Sequence, residues 1–474
     1  MKSPPLDVYC LAVGGTGMAP LACLLRQQGH RVRGVDGPLY PPMSTLLERA
    51  GIRPLTGYDP AHLDPPPDLV VVGNAIRRDN PEAVEAERRG LPLLSMPQAL
   101  ARFFLAGRRP LVVAGTHGKT TTTALAAWVW TACGRDPGYL IGGAPLDLPA
   151  SFASGGGDRF VIEGDEYNAA YFDRGPKFLH YRPETLILTS VEYDHADLYP
   201  TPEALRAAFA QLLALLPPDG CLVACGDDPA VRELAVDAPC PVVFYGLGEE
   251  NVVRPGGPVV AAPEGSRFRI EDPEAGTIEV HLPLAGAHNV ANALAVWAAA
   301  RRDGIPARAV AAALGRFHGV RRRLDELGTA EGVTVVDDFA HHPTAVAATL
   351  GALRQRYPGR RLVVLFEPRS LTAGRRMFFD PYRAAFADAD RVLFAPTFHS
   401  DRLAPEDRLD FGALARELSG AGVPAALCMD AEEVLSRALA EAGTGDVLVT
   451  MSSGAFEGLP HRLVEGLAAR VVAG

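Results

Sequence analysis

The sequence predicts an α/β protein of three domains, and three observations lead to this class. The chain has 474 residues, enough for roughly three domains of the usual ~150 residues. Short apolar runs alternate with helical patterns, as in parallel sheets that are covered by helices. Several runs are followed at once by glycines, acids or histidines, which suits ligand sites at the carboxyl ends of parallel strands. We expect the domains at residues 1–107, 108–319 and 320–474.

The composition argues against several classes of protein. The formal net charge is −10, which disfavours nucleic acid or an anionic membrane surface as the main partner. No apolar stretch has the length of a membrane span, and the apolar run at residues 8–13 is too short for a signal peptide. Seven scattered cysteines fit a reducing compartment, so we expect a cytoplasmic protein.

The first domain begins with a strand–turn–helix–strand pattern. The run at residues 8–13 leads into the glycine turn Gly14–Gly17, and a second strand-like run ends at Asp36. A glycine turn with an acid about twenty residues later is typical of dinucleotide sites, although Pro20 stands where a third glycine belongs. The pattern suits a phosphate or nucleotide-sugar site at least as well as NAD. A later run, Leu69–Val72, predicts a further strand.

The most informative stretch is Leu111–Thr123, LVVAGTHGKTTTT. It predicts a buried strand, a tight glycine turn and a helix that begins at Lys119. Such a loop is an anion site, because its N–H groups and the positive end of the helix dipole point to one place. The lysine can neutralise phosphate charge, and Thr120 can bind Mg²⁺. The loop is a shortened P-loop, since Val113 stands where the first glycine of the general motif belongs.

Two later apolar runs of the central domain also end in titratable groups. Phe160–Glu163 is followed by Asp165 and Glu166. Thr185–Ser190 leads into a segment that contains His195. Acids at the carboxyl end of a strand are where an open α/β sheet presents a Mg²⁺ ligand. Acids also occur at ordinary helix N-termini, but a histidine beside them favours a ligand or a base.

Two asparagines close to the end of the central domain form a further candidate pair. Asn289 and Asn292 stand three residues apart in a helical pattern, so their side chains share one helix face. Buried amides can read the edge of an adenine ring, and they can equally cap a buried helix. The residues alone leave these two roles open.

The third domain repeats the pattern of strands that end in polar residues. Val333–Val336 is followed by DDFAHHPT, and Arg361–Phe366 is followed by EPRS. Val447–Met451 predicts another strand of this βα series. We therefore expect a second doubly wound sheet, with functional residues at corresponding strand ends.

Taken together, these motifs resemble the Mur ligase family of peptidoglycan enzymes. The matching segments, in chain order, are GGTGMAPLA, AGTHGKTTT, EGDEY, EYDHADLY, GAHNVANALA, GVRRR and DDFAHHPT. The resemblance implies a Rossmann-like N-terminal UDP-binding domain, a central P-loop-type ATPase domain and a Rossmann-like, doubly wound C-terminal domain. The last of these brings the amino substrate.

Within the family, other stretches are similar to the branch that recycles peptidoglycan peptides. They are YPPMSTLLE, VVGNAI, KFLHYRPETLIL, FEPRS and MSSG. This resemblance implies an ATP- and Mg²⁺-dependent ligase that joins UDP-N-acetylmuramate to L-alanyl-γ-D-glutamyl-meso-diaminopimelate through an acyl phosphate. The alternative is the UDP-N-acetylmuramate–L-alanine ligase of de novo synthesis. We expect a monomer or weak homodimer with small-molecule substrates.

Two readings from other classes explain fewer of the motifs. An NAD-dependent oxidoreductase accounts for the N-terminal pattern, but it leaves Lys119, Thr120 and the DDFAHHPT segment without a role. A UDP-sugar-binding protein without catalytic activity would have no use for the lysine, the acids and the histidine of the central domain.

The resemblance also implies roles for individual residues. For catalysis they are Lys119, Glu163 and His195, and for Mg²⁺ binding Thr120, Glu163 and His195. For ATP binding they are Gly115, Thr116, His117, Gly118, Lys119, Thr120, Thr121, Asn289, Asn292, Arg323, Asp338 and His342. For the UDP-sugar they are Gly15, Thr16, Gly17, Asp36 and Asn74. For the peptide they are Arg369 and Ser370, since a guanidinium suits a carboxylate.

Three features depart from patterns seen in the family. Thr201–Leu216 contains no lysine, so this segment has no carbamylated lysine to help bind a second Mg²⁺. Gly164 and Asn168 depart from the EADEYD form, and Asn168 removes one charge near the expected metal site.

Overall fold

The computed structural model describes residues 4–398 and 402–473. The chain divides into two compact units. The first consists of Met1–Val191, Glu203–Val252 and Ala295–Pro306, and the second consists of Glu192–Pro202, Val253–Leu294 and Ala307–Gly474.

The first unit begins with five short strands in one parallel sheet. The strands are β1 (Asp7–Leu11), β2 (Arg31–Asp36), β3 (Leu55–Thr56), β4 (Leu69–Val72) and β5 (Leu93–Ser95). They pair in the order β3-β2-β1-β4-β5, so β1 lies at the centre. The helices are α1 (Met18–Gln27), α2 (Met43–Arg49), α3 (Pro81–Arg88) and α4 (Met96–Leu100). Asn80 caps α3, and Ser95 forms a capping box with Gln98 at α4, which fixes where these helices begin.

The second sheet of the first unit has seven strands. They are β6 (Arg109–Ala114), β7 (Gly138–Leu140), β8 (Phe152–Ala153), β9 (Arg159–Gly164), β10 (Thr185–Leu188), β11 (Cys221–Cys225) and β12 (Val242–Tyr245). The order is β12-β11-β10-β6-β9-β7-β8, and only the β7–β8 pair is antiparallel. The helices are α5 (Lys119–Ala132), α6 (Pro202–Leu213) and α7 (Pro229–Ala235). The glycine turn at residues 115–118, here named the phosphate loop, joins β6 to α5. The strand before this loop, β6, has β9 and β10 as its direct neighbours.

The second unit contains an antiparallel sheet of three strands that the sequence analysis did not predict. The strands are β13 (Val260–Ala262), β14 (Gly265–Asp272) and β15 (Gly276–Leu282). In β14, buried residues alternate with exposed charged ones, as in a sheet with one solvated face. Two helices follow in the chain, α8 (Ala287–Arg302), whose residues from Ala295 on belong to the first unit, and α9 (Ala307–Leu314).

A six-stranded sheet forms the rest of the second unit. Its strands are β16 (Asp325–Ala330), β17 (Val333–Asp338), β18 (Leu362–Phe366), β19 (Arg391–Phe394), β20 (Ala425–Leu427) and β21 (Val447–Met451). They pair in the order β16-β17-β21-β18-β19-β20, and β16 alone is antiparallel to its neighbour. The helices are α10 (Pro343–Arg356), α11 (Phe379–Ala385), α12 (Phe411–Gly420), α13 (Ala431–Glu441) and α14 (Leu459–Ala473). Two buried apolar clusters contain alternate residues of these strands, so both faces of the sheet are covered.

The sheets confirm the predicted α/β class with three helix-covered sheets, while several strand ends differ from prediction. The run at residues 8–13 ends as a strand at Leu11, because Ala12 adopts a left-handed conformation (φ 59°) that starts the turn. The strand expected at Thr185–Ser190 ends at Leu188. The strand expected at Val333–Val336 continues to Asp338, so the acid pair lies within it. Among the described residues, no helix combines the length and apolar character needed to cross a bilayer.

Candidate phosphate and metal site

The phosphate loop between β6 and α5 has the shape that the sequence predicts. Gly115 and Gly118 have φ of 130° and 80°, a region that favours glycine. A Cβ atom at Gly115 would lie 2.2 Å from Thr189 Oγ1, so the loop also needs glycine for space. Thr116 N donates to Ser190 O at 2.9 Å, and His117 N donates to Ser190 Oγ at 3.0 Å. The residues that follow β10 therefore hold the loop in place.

Lys119 is bound within this loop by a carboxylate. Its Nζ lies 2.6 Å from Gly115 O and 2.9 Å from both carboxylate oxygens of Glu166. The two side chains are 12% and 1% exposed. Burial would lower the pKa of Lys119, but the carboxylates of Glu166, Asp165 and Glu163 outweigh it, so the pKa is raised. The side chain is thus an ammonium at neutral pH, carried by the first residue of α5, and the N-terminus of a helix favours an anion.

Thr120 and Glu163 meet at the carboxyl ends of two neighbouring strands. Glu163 lies opposite Val113 in the β6–β9 pair, which places it beside the start of α5. Thr120 Oγ1 donates to Glu163 Oε1 at 3.0 Å, and Gly142 N donates to Glu163 Oε2 at 3.0 Å. A hydroxyl and a carboxylate are oxygen ligands of the kind that Mg²⁺ prefers. The hydroxyl of Thr120 and the carboxylate of Glu163 therefore fit a Mg²⁺ site as oxygen ligands, and their binding of the ion stays a prediction.

The glycine turn of the first sheet and Asp36 come together at one edge. The turn Gly15-Thr16-Gly17 joins β1 to α1, and Asp36 ends the adjacent strand β2. Asp36 Oδ2 accepts a hydrogen bond from Gly14 N at 2.8 Å. Asn74 follows β4, the other neighbour of β1, and is exposed. The predicted UDP-sugar residues thus share the carboxyl edge of this sheet, and their contact with a ligand stays a prediction.

His195 belongs to the second unit, whereas Lys119, Thr120 and Glu163 belong to the first. His195 is buried and adopts a left-handed backbone (φ 54°). Burial would raise the pKa of the neighbouring Asp194, but the imidazoles of His195, His341 and His342 hold that pKa well below its usual range. The part of His195 in metal binding stays a prediction.

The segment that carries His195 is held by two residues of the six-stranded sheet's domain, one in α10 and one in the loop after β18. Thr344 Oγ1 donates to Glu192 Oε1 at 2.8 Å, and Ala196 N donates to Thr372 Oγ1 at 3.3 Å. Sequence reasoning singled out DDFAHHPT, which ends at Thr344, but it predicted neither of these two contacts, because nothing local in the chain marks the threonines as neighbours of the segment.

The two asparagines lie on one face of α8, as predicted. Asn289 Nδ2 donates to Ala285 O at 2.7 Å, and Asn292 Nδ2 donates to Asn289 Oδ1 at 3.3 Å. Both side chains are buried. The first bond is a helix-end interaction and the second joins the amides to each other, so adenine binding by these residues stays a prediction.

Thr121 lies within the first turn of α5, and three further candidates for ATP binding each have a structural contact. Asp338 accepts hydrogen bonds from Leu324 N at 2.7 Å and Ala340 N at 2.8 Å, and burial raises its pKa. His342 caps the N-terminus of α10. The Arg323 guanidinium lies 4.7 Å from the centre of the Phe339 ring. These contacts fix the side chains near the end of β17, and their predicted role with ATP is not tested by them.

Arg369 and Ser370 lie in the segment after β18, separated from the strand by Glu367 and Pro368. Arg369 Nη1 lies 3.2 Å from Glu367 Oε1, and its guanidinium lies 4.2 Å from the centre of the Phe398 ring. The Arg369 side chain remains 33% exposed, so a ligand carboxylate can reach it. Ser370 Oγ accepts a hydrogen bond from Ala373 N at 3.0 Å and closes a turn.

Sequence reasoning also missed Lys177, which lies in the acidic cluster of the central sheet. Its Nζ is 2.7 Å from Asp165 Oδ2. Lysine is rare in this chain, which has three lysines among 46 lysine and arginine residues. This rarity is the signal in the sequence that could have pointed to Lys177.

Family models match three successive parts of the chain. "Mur ligase family, catalytic domain" matches residues 7–108, "Mur ligase middle domain" matches residues 113–300, and "Mur ligase, glutamate ligase domain" matches residues 322–454.

Curated relatives of full length carry two different names. The chain is 38% identical over 472 residues to the UDP-N-acetylmuramate–L-alanyl-γ-D-glutamyl-meso-2,6-diaminoheptandioate ligase of Escherichia coli, covering 99% of this chain and 100% of that protein. It is 36% identical over 480 residues to the UDP-N-acetylmuramate–L-alanine ligase of Leptothrix cholodnii, covering 98% and 99%.

Solved structures show the same similarity. A murein peptide ligase from Psychrobacter arcticus has a TM-score of 0.73 and 33% identity, covering 98% of this chain and 99% of that one. A UDP-N-acetylmuramate–alanine ligase from Thermotoga maritima has a TM-score of 0.80 at 24% identity, covering 98% and 100%, which shows the shared fold.

Proposed function

Because the chain belongs to the Mur ligase family, whose members are ATP-dependent ligases that form C–N bonds, we propose that it joins UDP-N-acetylmuramate to L-alanyl-γ-D-glutamyl-meso-diaminopimelate. The observation that carries the proposal is the full-length similarity to the Escherichia coli enzyme of that specificity. The recycling-type segments of the sequence support it, and so does Arg369, a partly exposed cation in the segment after β18.

In this proposal the phosphate loop binds the triphosphate of ATP through its backbone N–H groups. The ammonium of Lys119 exchanges Glu166 for a phosphate oxygen and neutralises charge that would repel the incoming carboxylate. Thr120 and Glu163 would hold Mg²⁺, which supplies further positive charge to the phosphates when it is bound.

The proposed reaction has two steps, which are those that the family resemblance implies. An oxygen of the lactyl carboxylate attacks the γ-phosphorus of ATP, the bond to ADP breaks, and an acyl phosphate forms. The amine of the peptide then attacks the acyl carbon, a C–N bond forms, and inorganic phosphate leaves while the amine loses a proton. In this proposal Lys119 stays beside the transferred phosphoryl group and neutralises its charge in both steps.

The remaining assignments belong to the same proposal. Residues 1–107 bind the UDP-sugar through Gly15, Thr16, Gly17, Asp36 and Asn74. Residues 108–319 bind ATP and Mg²⁺ with help from His195, Asn289 and Asn292. Residues 320–474 add Arg323, Asp338 and His342 to the nucleotide site and bind the peptide through Arg369 and Ser370. All seven cysteines are free thiols, which supports the cytoplasm as the location.

The alternative amino substrate is L-alanine, which is favoured by the relatives of similar identity that carry that name. Phosphate release from ATP with UDP-N-acetylmuramate and Mg²⁺ separates the two. We expect release with the tripeptide and none above background with L-alanine. Release with L-alanine alone would assign the chain to de novo synthesis, and release with neither amine would refute both reactions.

A further inference from the structure

The use of lysine in this chain is uneven. Of 46 lysine and arginine residues, three are lysines: Lys2, Lys119 and Lys177. Lys2 lies outside the described residues. The other two lie in one acidic cluster at the carboxyl end of β9. A lysine ammonium is a compact point charge, whereas an arginine guanidinium is a planar fork, so the two are not interchangeable at a crowded site. Apart from Lys2, the chain uses arginine at every other basic position, and its two other lysines lie at this one place.

Each of two successive acids in this cluster has a lysine of its own. Lys177 Nζ lies 2.7 Å from Asp165 Oδ2, and its side chain is 15% exposed. The next residue, Glu166, is bound by Lys119. The ring of Tyr167 lies 5.7 Å from Lys177 Nζ, within the reach of a cation–π interaction. Two neighbouring acids therefore form two separate ion pairs. Glu166 pairs with Lys119 of the phosphate loop, and Asp165 pairs with Lys177.

The backbone around Lys177 is fixed independently of the ion pair. Lys177 N donates to Tyr167 O at 3.0 Å, and Phe178 N donates to Asp165 O at 3.3 Å. Phe178 is fully buried. These bonds close the loop formed by residues 165–178. The Lys177 ammonium can therefore bind Asp165 without the entropy cost of ordering a further segment.

The negative charge of Asp165 interacts electrostatically with the Lys119 ammonium. After burial and Glu166, Asp165 has the largest effect on the pKa of Lys119. If Asp165 lost its own cation, an additional unscreened carboxylate would stand beside the ammonium that must bind phosphate and beside Glu163. The site has to accept two anions, a triphosphate and a carboxylate, so this extra charge would oppose binding of both.

We propose that Lys177 is a positioning residue of the phosphoryl-transfer site, which holds Asp165 and thereby leaves Glu166 as the carboxylate partner of Lys119. The inference rests on the proposed function of that site. Lys177 acts through Asp165 and not on the substrates, which makes it testable by a double substitution.

The first test measures ADP formation in four variants with the amine that the wild type uses. Lys177→Met should lower kcat/KM for ATP by about 10–100-fold, the range seen when a supporting residue of a metal or phosphate site is lost. Lys177→Arg, which keeps the charge, should lose less. The double variant Asp165→Asn/Lys177→Met should recover most of the loss, because the unscreened charge is gone. Arg174→Met, in the same loop, removes an equal charge and should match the wild type.

Two outcomes would overturn the proposal. Wild-type kcat/KM in Lys177→Met would remove any role for the ammonium. A double variant as slow as Lys177→Met would show that Lys177 does not act through Asp165, as expected for a residue that only supports the fold.

A second test needs no turnover. Protein labelled with ¹³C at the lysine ε-carbon has three signals, and Lys177→Arg and Lys119→Arg assign two of them. The Lys177 signal should move in Asp165→Asn and stay in place when MgATP is added to the wild type, while the Lys119 signal should move with MgATP. If the chemical shift of the Lys177 signal is the same in Asp165→Asn as in the wild type, the ion pair is refuted, whether or not the proposed ligase reaction is also refuted.

Discussion

Replacing Glu163 by glutamine tests the metal site with little disturbance of the fold. Glu163 accepts hydrogen bonds from Thr120 Oγ1 and Gly142 N, each at 3.0 Å. A glutamine of nearly the same shape can keep both contacts, because its carbonyl oxygen accepts from Gly142 N and its amide group donates to Thr120 Oγ1. The substitution therefore removes a charge and leaves the local hydrogen bonds.

The size of the effect follows from the charge that is removed. Two unit charges about 4 Å apart in an effective dielectric of about 20 interact by about 4 kcal/mol, and we count Mg²⁺ as one net positive charge because the phosphates that bind it neutralise the other. Since about 1.4 kcal/mol corresponds to a factor of ten, the loss corresponds to about 10³-fold. We expect the Mg²⁺ concentration for half-maximal ADP formation to rise by about this factor in Glu163→Gln.

The assay is ADP formation as a function of Mg²⁺ at saturating ATP and UDP-N-acetylmuramate. Glu166→Gln is the matched control. It removes the same charge three residues after Glu163, from a carboxylate that pairs with Lys119 and is not an assigned Mg²⁺ ligand. Its Mg²⁺ dependence should shift much less than that of Glu163→Gln. An unchanged Mg²⁺ dependence in Glu163→Gln, with thermal unfolding like that of the wild type, would refute the assignment of Glu163.

Two further predictions concern the peptide and the stability of the first unit. Arg369→Ala should raise the KM for the tripeptide at least about tenfold and leave the KM for ATP nearly unchanged, because a guanidinium binds a carboxylate through charge-assisted hydrogen bonds; equal effects on both would contradict the assignment. Asp303→Ala should lower the free energy of unfolding in urea by about 3–5 kcal/mol, because the Asp303 side chain is only 5% exposed and is bound by Arg159 and Trp130 Nε1. Burial would raise the pKa of Asp303, but Arg159 outweighs it and the pKa is lowered, so this stability is present above the unfolded pKa of about 3.9 and is lost as the pH falls through the folded pKa. The difference between wild type and Asp303→Ala should therefore shrink below about pH 4, and an equal difference at pH 3 and pH 7 would contradict this account.

The parts of the fold that the sequence predicts well are buried runs with clear ends. Leu69–Val72 and Val447–Met451 are strands with the predicted bounds, because each is a short apolar run bounded by polar or small residues. The helix of the phosphate loop begins at Lys119 as predicted, since the glycine turn before it leaves little choice.

Other elements depend on contacts that local patterns do not contain. The sheet of β13 to β15 was missed because its strands carry many charged residues on an exposed face. Asp337 and Asp338 were expected after a strand, but they lie within β17, where Arg322 and the Leu324 N–H compensate their burial.

The candidate site was predictable residue by residue but not as an arrangement. The sequence indicates Thr120 and Glu163 separately, and their contact arises because β9 pairs directly with β6, a strand order that no local pattern encodes. The ion pair of Lys177 with Asp165 depends likewise on how the intervening loop closes. Long-range pairing of this kind is set by the packing of the whole unit.

The most direct test of the central claim is a competition between amino substrates. The protein is incubated with ATP, Mg²⁺, UDP-N-acetylmuramate and equal concentrations of L-alanine and L-alanyl-γ-D-glutamyl-meso-diaminopimelate, and the product is identified by mass spectrometry. The account predicts UDP-N-acetylmuramoyl tripeptide as the main product. UDP-N-acetylmuramoyl-L-alanine as the main product would contradict it and assign the chain to the L-alanine-adding reaction.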